Sequence, residues 1–282
     1  MALQQLLGDL PSAKFVNEYY LKLPFALAQG CQDFVPLGSW DTLESILRQP
    51  NVDMLVVRGG ERWPEERVPD FAQARALFDD GYTLVVRNAE RHHAGVAELA
   101  RSFERDFRGA VDVHLYCTPA NQFGFGWHYD AEDVFILQTA GSKQYSLRKN
   151  TVHPWPLVET IPADMRYEQE IMPLVQCSLH AGDWLYIPAG YWHKAESTSD
   201  AISLAVGVMS TAAIELFDFL RARLLESLRW RQRLPTPGEV SPLQASELQD
   251  QYQQLCRELG ADLAREMSDG AFAEQFLASK RG

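Results

Sequence analysis

Cysteine is scarce in this chain of 282 residues: Cys31, Cys117, Cys177 and Cys256 are the four, each far from the others. That spacing excludes a zinc knuckle and a Cys-x-x-Cys redox pair, and it predicts reduced, buried thiols. Long apolar runs are missing too, which excludes a membrane-spanning helix on sequence grounds. The opening residues, Met1 to Asp9, lack the basic and apolar regions of a signal peptide, so a cytoplasmic location is expected. Positive charge is in short supply: 26 Lys and Arg stand against 38 Asp and Glu, a formal net charge of −12. Such a balance speaks against direct nucleic-acid binding, whose affinity rests on cationic patches set against phosphate, and would suit a basic partner. No internal repeat or low-complexity segment is visible.

What is present describes a globular protein, with 46% hydrophobic and 23% charged residues over a length that suits one barrel and a helical appendage. Residues 1 to 50 read as mainly helical, punctuated by Pro24, Pro36 and Pro50, with Ser39 capping a helix that runs to Arg48. Strands are expected at 52–58 and 82–87, helices at 69–78 and 95–107, and barrel strands from about 111. From Thr211 the pattern turns helical: Ile214, Phe217, Leu220, Leu224 and Leu228 recur up to Arg233, and Pro235 to Gly238 breaks the run. A second helix spans about Ser246 to Met267. The apolar stripes would pack on the barrel or on a second subunit. Arg221, Arg223, Glu226, Arg229, Arg231 and Arg233 read as a solvated face. The boundaries are thus 1–210 for the barrel with its N-terminal elaboration and 211–282 for the helical region.

Chemistry concentrates in two blocks. The first is Gly126-Trp-His-Tyr-Asp130. On a strand, residues two apart point the same way, so His128 and Asp130 can grip one ion. The second, Gly182-Asp-Trp-Leu-Tyr-Ile-Pro-Ala-Gly-Tyr-Trp-His193, has a tight turn at Pro188-Ala-Gly190 that returns His193 toward the barrel. Two histidines and one carboxylate on one face of an ion describe the facial triad of non-haem Fe(II) oxygenases, which leaves positions open for co-substrate and dioxygen.

Between the blocks, Asp133 to Leu147 reads as a hairpin, with a buried strand, a turn at Ala140-Gly141-Ser142 and a returning strand. Lys143, Tyr145 and Leu147 share one face of the return. If that face is the interior, Lys143 is a buried cation that needs an anion, and the far carboxylate of 2-oxoglutarate would supply one; the alternative is a lysine at the hairpin mouth facing solvent. Ser203, in the apolar strand 201–207, faces either the pocket or its own sheet. His114 sits two residues before Tyr116 and contacts substrate or 2-oxoglutarate, or else serves as a core histidine. His92, His93, His153 and His180 have no ligand spacing and read as structural.

These blocks, with Val113-His-Leu-Tyr-Cys-Thr-Pro119 and Phe15-Val-Asn-Glu-Tyr-Tyr-Leu-Lys-Leu-Pro24, resemble the JmjC-type cupin Fe(II)/2-oxoglutarate oxygenases, and within them the ribosomal oxygenase branch. The resemblance spans roughly residues 4 to 234. It implies a mainly β fold with flanking helices, a double-stranded β-helix (cupin or jelly roll) followed by a C-terminal helical segment. It also implies Fe(II) on His128, Asp130 and His193, 2-oxoglutarate held by Lys143, and Tyr116 as a pocket tyrosine. The reaction implied is hydroxylation of an unactivated C–H bond of an amino-acid side chain in a protein or peptide, with dioxygen consumed and succinate and carbon dioxide released. A homodimer formed through the C-terminal helices is implied as well. Two departures bear on the substrate: His114 stands where an asparagine is common, and the sequence stops short of the winged-helix domain usual in that branch. Both would also suit a small molecule, a free amino acid or a biosynthetic peptide. A non-catalytic cupin binding module is the third reading, against which the intact triad and lysine weigh.

Overall fold

Four helices begin on side chains that satisfy a first free N–H group, the last of them on Asp269, which accepts from Ala271 N at 3.0 Å. Ser39 accepts from Thr42 N at 3.2 Å, Asp70 from Gln73 N at 2.8 Å, and the Nδ1 of His93 from Val96 N at 3.3 Å. The computed structural model describes residues 1–65, 67–163, 165–234 and 245–280. The chain divides into two units, Met1–Ser210 and Thr211–Gly282.

In the first unit, α1 (Ala2–Leu7) and α2 (Ser12–Glu18) precede β1 (Phe25–Leu27), and α3 (Trp40–Leu47) leads to β2 (Asp53–Arg58) and β3 (Glu61–Arg62). Next come α4 (Phe71–Asp79), β4 (Thr83–Arg87) and α5 (Ala94–Phe107). The barrel strands are β5 (Val111–Thr118), β6 (Asp133–Ala140), β7 (Ser142–Arg148), β8 (Val175–His180), β9 (Trp184–Ile187), β10 (Trp192–Ser197) and β11 (Ala201–Val208). Eight strands make a large antiparallel sheet in the order β1-β9-β6-β11-β5-β4-β2-β3, and three make a smaller one, β10-β7-β8. From β5 onward the chain passes repeatedly between the two sheets. The result is the double-stranded β-helix with flanking helices that the resemblance implied.

Strand β11 sits inside the large sheet, with all eight residues buried and Leu204 in register with Leu115 on one side and Leu137 on the other. Burial on both faces is what its unbroken apolar run encodes. Two cores result. One lies under the large sheet, where Phe15, Phe103, Phe135 and Trp184 are fully buried and the rings of Phe103 and Phe135 meet edge to face at 5.0 Å. Each such ring contributes about 1.5–3 kcal/mol by leaving water. The other lies between the sheets and joins Val134, Ile136, Leu185 and Ala205 to Tyr145 and Leu147.

The structure corrects several expectations. The segment 133–147 is not a hairpin: β6 pairs with β11 and β9, whereas β7 pairs with β8 and β10. Gly141 carries the chain from one sheet to the other at φ +63°, and a Cβ there would collide with the carbonyl of Asp200. The first fifty residues contain a strand, β1, whose Phe25 is in register with Tyr186. It was obscured because three residues are too few for periodicity.

In the second unit the expected long helix ends early, as α6 (Ile214–Leu224), and α7 (Ala245–Ser268) is followed by α8 (Gly270–Ser279), which the apolar pattern alone did not reveal. The expected break at Pro235 to Gly238 lies outside the described residues. Phe219 packs edge-on against Phe272 and Phe276, each at 5.5 Å. Arg223 is not part of a solvated face but pairs with Glu266 at 2.5 Å. Of the cysteines, Cys31 and Cys117 are buried, Cys177 is half-buried and Cys256 is exposed on α7, so burial of all four does not hold. Among the described residues no helix is long and apolar enough to cross a membrane.

Candidate metal centre and its cavity

The segment between β5 and β6 alternates as a strand does. Trp127 and Tyr129 turn to an aromatic layer, Trp127 stacking on Tyr167 at 4.1 Å and Tyr129 meeting Trp192 edge-on at 4.7 Å. His128, Asp130 and Glu132 turn the other way, into a cavity of about 340 Å³ between the sheets. His193, the second residue of β10, reaches the same cavity from across the segment. Backbone pairing fixes its position: Gly190 N donates to Asp130 O at 2.8 Å, with Gly190 at φ +80°. Asp133, fully buried, accepts from Tyr186 Oη at 2.6 Å and from Ala189 N at 3.2 Å. The Pro188-Ala-Gly190 turn is thereby tied to Asp130, the last residue of the first motif, and to Asp133 just beyond it.

His128, Asp130 and His193 each offer a ligand atom within 4.8 Å of the others, a set that can hold a metal ion. The Nε2 of His193 lies 3.4 Å from Asp130 Oδ2. Each imidazole has its Nδ1 against a carbonyl, His128 on Gly126 O at 2.8 Å and His193 on Tyr191 O at 3.0 Å. A carbonyl only accepts, so each Nδ1 carries a proton and Nε2 is the ring atom turned toward the cavity. Fixing the tautomer in this way is how ligand histidines are oriented toward a metal. Burial first, then the His128 imidazole, pushes His193 down to about 4, with Asp130 opposing; His193 is neutral near pH 7, the state that coordinates. Two imidazoles and one carboxylate are the donor set that suits a non-haem Fe(II).

Lys143 is buried and points inward, so the solvent-facing alternative is set aside. Its Nζ donates to Ser203 Oγ at 3.2 Å and lies 5.5 Å from the Tyr116 ring centroid. Among the described residues no carboxylate pairs with it. Burial pushes its ammonium down to about 8. A buried ammonium whose one hydrogen bond among the described residues goes to a hydroxyl fits an acid ligand. Ser203 lines the cavity, as do Tyr116 and His114. The Nδ1 of His114 accepts from Asn88 N at 3.3 Å, and its Nε2 lies 3.9 Å from Asp112 Oδ1, so this side chain is both bonded to a neighbour and exposed to the cavity.

Tyr145 lines the cavity beside Lys143, as their shared strand face implied, whereas sequence reading missed Arg87, Asp112 and Glu132 on the same wall. Two of these were available by alternation: Asp112 lies two before His114 and Glu132 two beyond Asp130. Burial, then Asp112, Asp130 and Asp133, push Glu132 up to about 8. Burial also raises Asp112, with His114 opposing. The structural readings of His153 and His180 agree with their contacts, to Tyr129 Oη at 3.3 Å and Asp183 Oδ2 at 3.7 Å.

The chain is similar to several known proteins. Residues 88–216 match the JmjC domain family. A bifunctional lysine-specific demethylase and histidyl-hydroxylase NO66 of Dictyostelium discoideum is 30% identical over 223 residues, covering 71% of this chain and 42% of that protein. The ribosomal protein uL16 3-hydroxylase of Escherichia coli is 26% identical over 209 residues, covering 72% of this chain and 53% of its own length. The chain therefore spans about half, or less, of these relatives. Among solved structures, YcfD, a ribosomal oxygenase from Escherichia coli, superposes with a TM-score of 0.61 at 20% identity, over 95% of this chain and 69% of that one. The same protein in complex with cobalt and 2-oxoglutarate gives 0.60 at 20% identity, over 96% and 71%. At that identity the likeness establishes the fold.

Proposed function

Because this chain belongs to the JmjC-domain family, we propose that it is an Fe(II)/2-oxoglutarate-dependent oxygenase that hydroxylates an unactivated C–H bond of an amino-acid side chain in a protein or peptide. The observation that carries this reading is the convergence of His128 Nε2, His193 Nε2 and the Asp130 carboxylate in one cavity with the buried Lys143. The names of the relatives, a histidyl-hydroxylase and a ribosomal protein hydroxylase, support a ribosomal protein as substrate.

His128, Asp130 and His193 would hold the iron. Lys143, steadied by Ser203, would take the distal carboxylate of 2-oxoglutarate, with Tyr116 and Tyr145 closing the apolar wall beside it. Iron with 2-oxoglutarate and dioxygen supplies the oxidising chemistry, in which the keto acid becomes succinate and carbon dioxide and the substrate gains a hydroxyl. The protein's share is orientation and exclusion of water. Asp130 contributes the one anionic ligand, Lys143 neutralises the acid, and the walls from β5 and β11 fix the target carbon relative to the metal.

The helical unit is assigned to dimerisation. Its Ile214 and Phe217, three residues apart on one helix face, are 53% and 54% exposed in the single chain. A second copy would cover them. The protein is placed in the cytoplasm, without direct nucleic-acid or membrane binding.

The test is succinate formation from 2-oxoglutarate by purified protein with Fe(II), ascorbate and air, with and without ribosomal-protein peptides. Turnover that rises with one peptide supports the reading. Silence, with neither iron nor 2-oxoglutarate binding by calorimetry, would move the chain to non-catalytic cupins.

A further inference from the structure

Asp133 is a buried carboxylate that the metal motif itself does not use. It opens β6, three residues beyond Asp130, and is 0% exposed. Its neighbours Glu132 and Val134 line the cavity, so by alternation the Asp133 side chain turns away from it. Among the described residues no lysine or arginine pairs with it. An apolar residue would fill the same place without the cost of desolvating a charge.

Hydrogen-bond donors surround the carboxylate instead. Oδ1 accepts from Tyr186 Oη at 2.6 Å and from Ala189 N at 3.2 Å, and Oδ2 accepts from Ser210 Oγ at 2.5 Å. Behind these stands a second rank: Leu21 N donates to Tyr186 Oη at 2.8 Å, and Tyr20 Oη lies 2.9 Å from Ser210 Oγ. The Ser210 proton is spent on Asp133, so Tyr20 is the donor of that pair. Every proton in the cluster thus points toward the carboxylate, the pattern of an ionised acid. Burial raises the carboxyl, and the bonds from Ser210, Tyr186 and Ala189 oppose the rise. Leu21 presents its N–H from a left-handed φ of +60°, a conformation that a leucine holds only where its surroundings fix it.

The cluster gathers chain segments far apart in sequence: the start of β6, the turn before β10, and residues two beyond the ends of α2 and β11. Its link to the metal motif runs through the turn. Ala189 lies four residues before His193, and the next residue, Gly190, donates to Asp130 O at 2.8 Å. Two bonds therefore pin the turn to one short stretch of chain, and the Asp133 bond is the one made by a side chain. His193 Nε2 arrives 3.4 Å from Asp130 Oδ2.

We propose that Asp133 is a positioning residue for the metal centre: its carboxylate clamps the Pro188-Ala-Gly190 turn to the 128–130 motif and so sets His193 against Asp130, with Ser210 and Tyr20 holding the carboxylate in place. This rests on the metal-centre reading and adds to it three side chains that touch neither the ion nor the cavity. Ser210 acts only through Asp133, and Tyr20 only through Ser210.

The test uses the full chain and three substitutions. Asp133→Asn keeps the size of the side chain and removes its charge, whereas Ser210→Ala and Tyr20→Phe each remove one hydroxyl. Each protein is titrated with Co(II), whose d–d absorption records the geometry of its ligands. Asp133→Asn is expected to lower Co(II) affinity about tenfold to a hundredfold, the scale of loss when a group behind a metal ligand is removed, and to shift the absorption bands. Ser210→Ala and Tyr20→Phe should each lower it about twofold to tenfold. Ser210→Ala added to Asp133→Asn should cost nothing more, because the two act as one unit. A merely structural cluster would lower the melting temperature and leave the Co(II) affinity and spectrum of the folded variants as in the wild type, which overturns the proposal. Should Asp133→Asn fail to fold, the two hydroxyl variants decide the matter by the same readout.

The clamp is also read without metal. Amide hydrogen exchange at Ala189 and Gly190 should quicken at least about fivefold in metal-free Asp133→Asn. Unchanged exchange there overturns the clamp. Faster exchange in a protein whose wild type takes up no Co(II) would instead remove the metal-centre reading and leave the clamp standing.

Discussion

His128 and His193 exchange both of their backbone hydrogen bonds, His193 N to His128 O at 2.8 Å and His128 N to His193 O at 3.2 Å. The pair forms an isolated antiparallel bridge at the edge of the smaller sheet, and their rings lie 4.1 Å apart. The proposed metal ligands are thus set by the main chain before any ion arrives. Preorganisation of this kind lowers the ordering cost of metal capture.

Removing the anionic member should break the centre without breaking the fold. Asp130→Ala is expected to abolish 2-oxoglutarate turnover and to lower Mn(II) affinity by at least about a hundredfold, because two neutral imidazoles remain. Circular dichroism should stay native. Full succinate formation by this variant would sink the iron assignment.

Lys143 carries a two-sided prediction. The ordinary value of its ammonium is 10.5 and burial lowers it to about 8, so the folded state binds fewer protons than the unfolded state between those values. Stability of the ligand-free protein therefore rises with pH across that window, and below it the full penalty of a buried charge persists. Lys143→Met should stabilise the ligand-free protein at pH 7 by up to roughly 3 kcal/mol, read as a higher melting temperature. The same variant should need about tenfold to a hundredfold more 2-oxoglutarate for binding. In the wild type, 2-oxoglutarate affinity should fall as pH rises through about 8. A flat profile, or unchanged affinity in the variant, would remove Lys143 from the acid site.

Much of this site was legible in the sequence because strand alternation is a strict rule. His128 with Asp130, and Lys143 with Tyr145, face one way for no other reason. The register between blocks was not legible. Nothing in Asp133 to Leu147 distinguishes a hairpin from a strand pair divided between two sheets, since both need an apolar run, a glycine turn and a second run. That choice is made by partners far away in sequence, β11 for one strand and β8 for the other. Glu132 was missed for a different reason: an acid beside Asp133 reads as a solvated pair until Asp133 is found buried under Tyr186.

Gly141 offers a direct check of the crossover. Gly141→Ala should destabilise the protein by about 1–3 kcal/mol from the left-handed conformation alone, and by more from the collision with Asp200. Urea denaturation would measure it. A neutral effect would mean that the chain does not change sheets at this residue.

The exposed apolar face of α6 should be covered in solution. Phe217→Glu is expected to convert a dimer to a monomer in size-exclusion chromatography with light scattering, since a charge at a packed interface core opposes association. A wild-type monomer at micromolar concentration would end the dimer assignment.

The bridge between the two histidines also sets the order in which this protein can mature. Its halves come from chain segments separated by β6, β7, β8 and β9, so it closes only after the intervening loop has been organised. Closing long loops costs entropy before any contact repays it, and chains dominated by such pairings reach their native state slowly. During synthesis, His128 and Asp130 emerge well before His193, and a metal ion meeting them then finds two ligands on an unfinished barrel. The complete donor set exists only once the last strands have joined the sheets, so loading becomes a readout of folding.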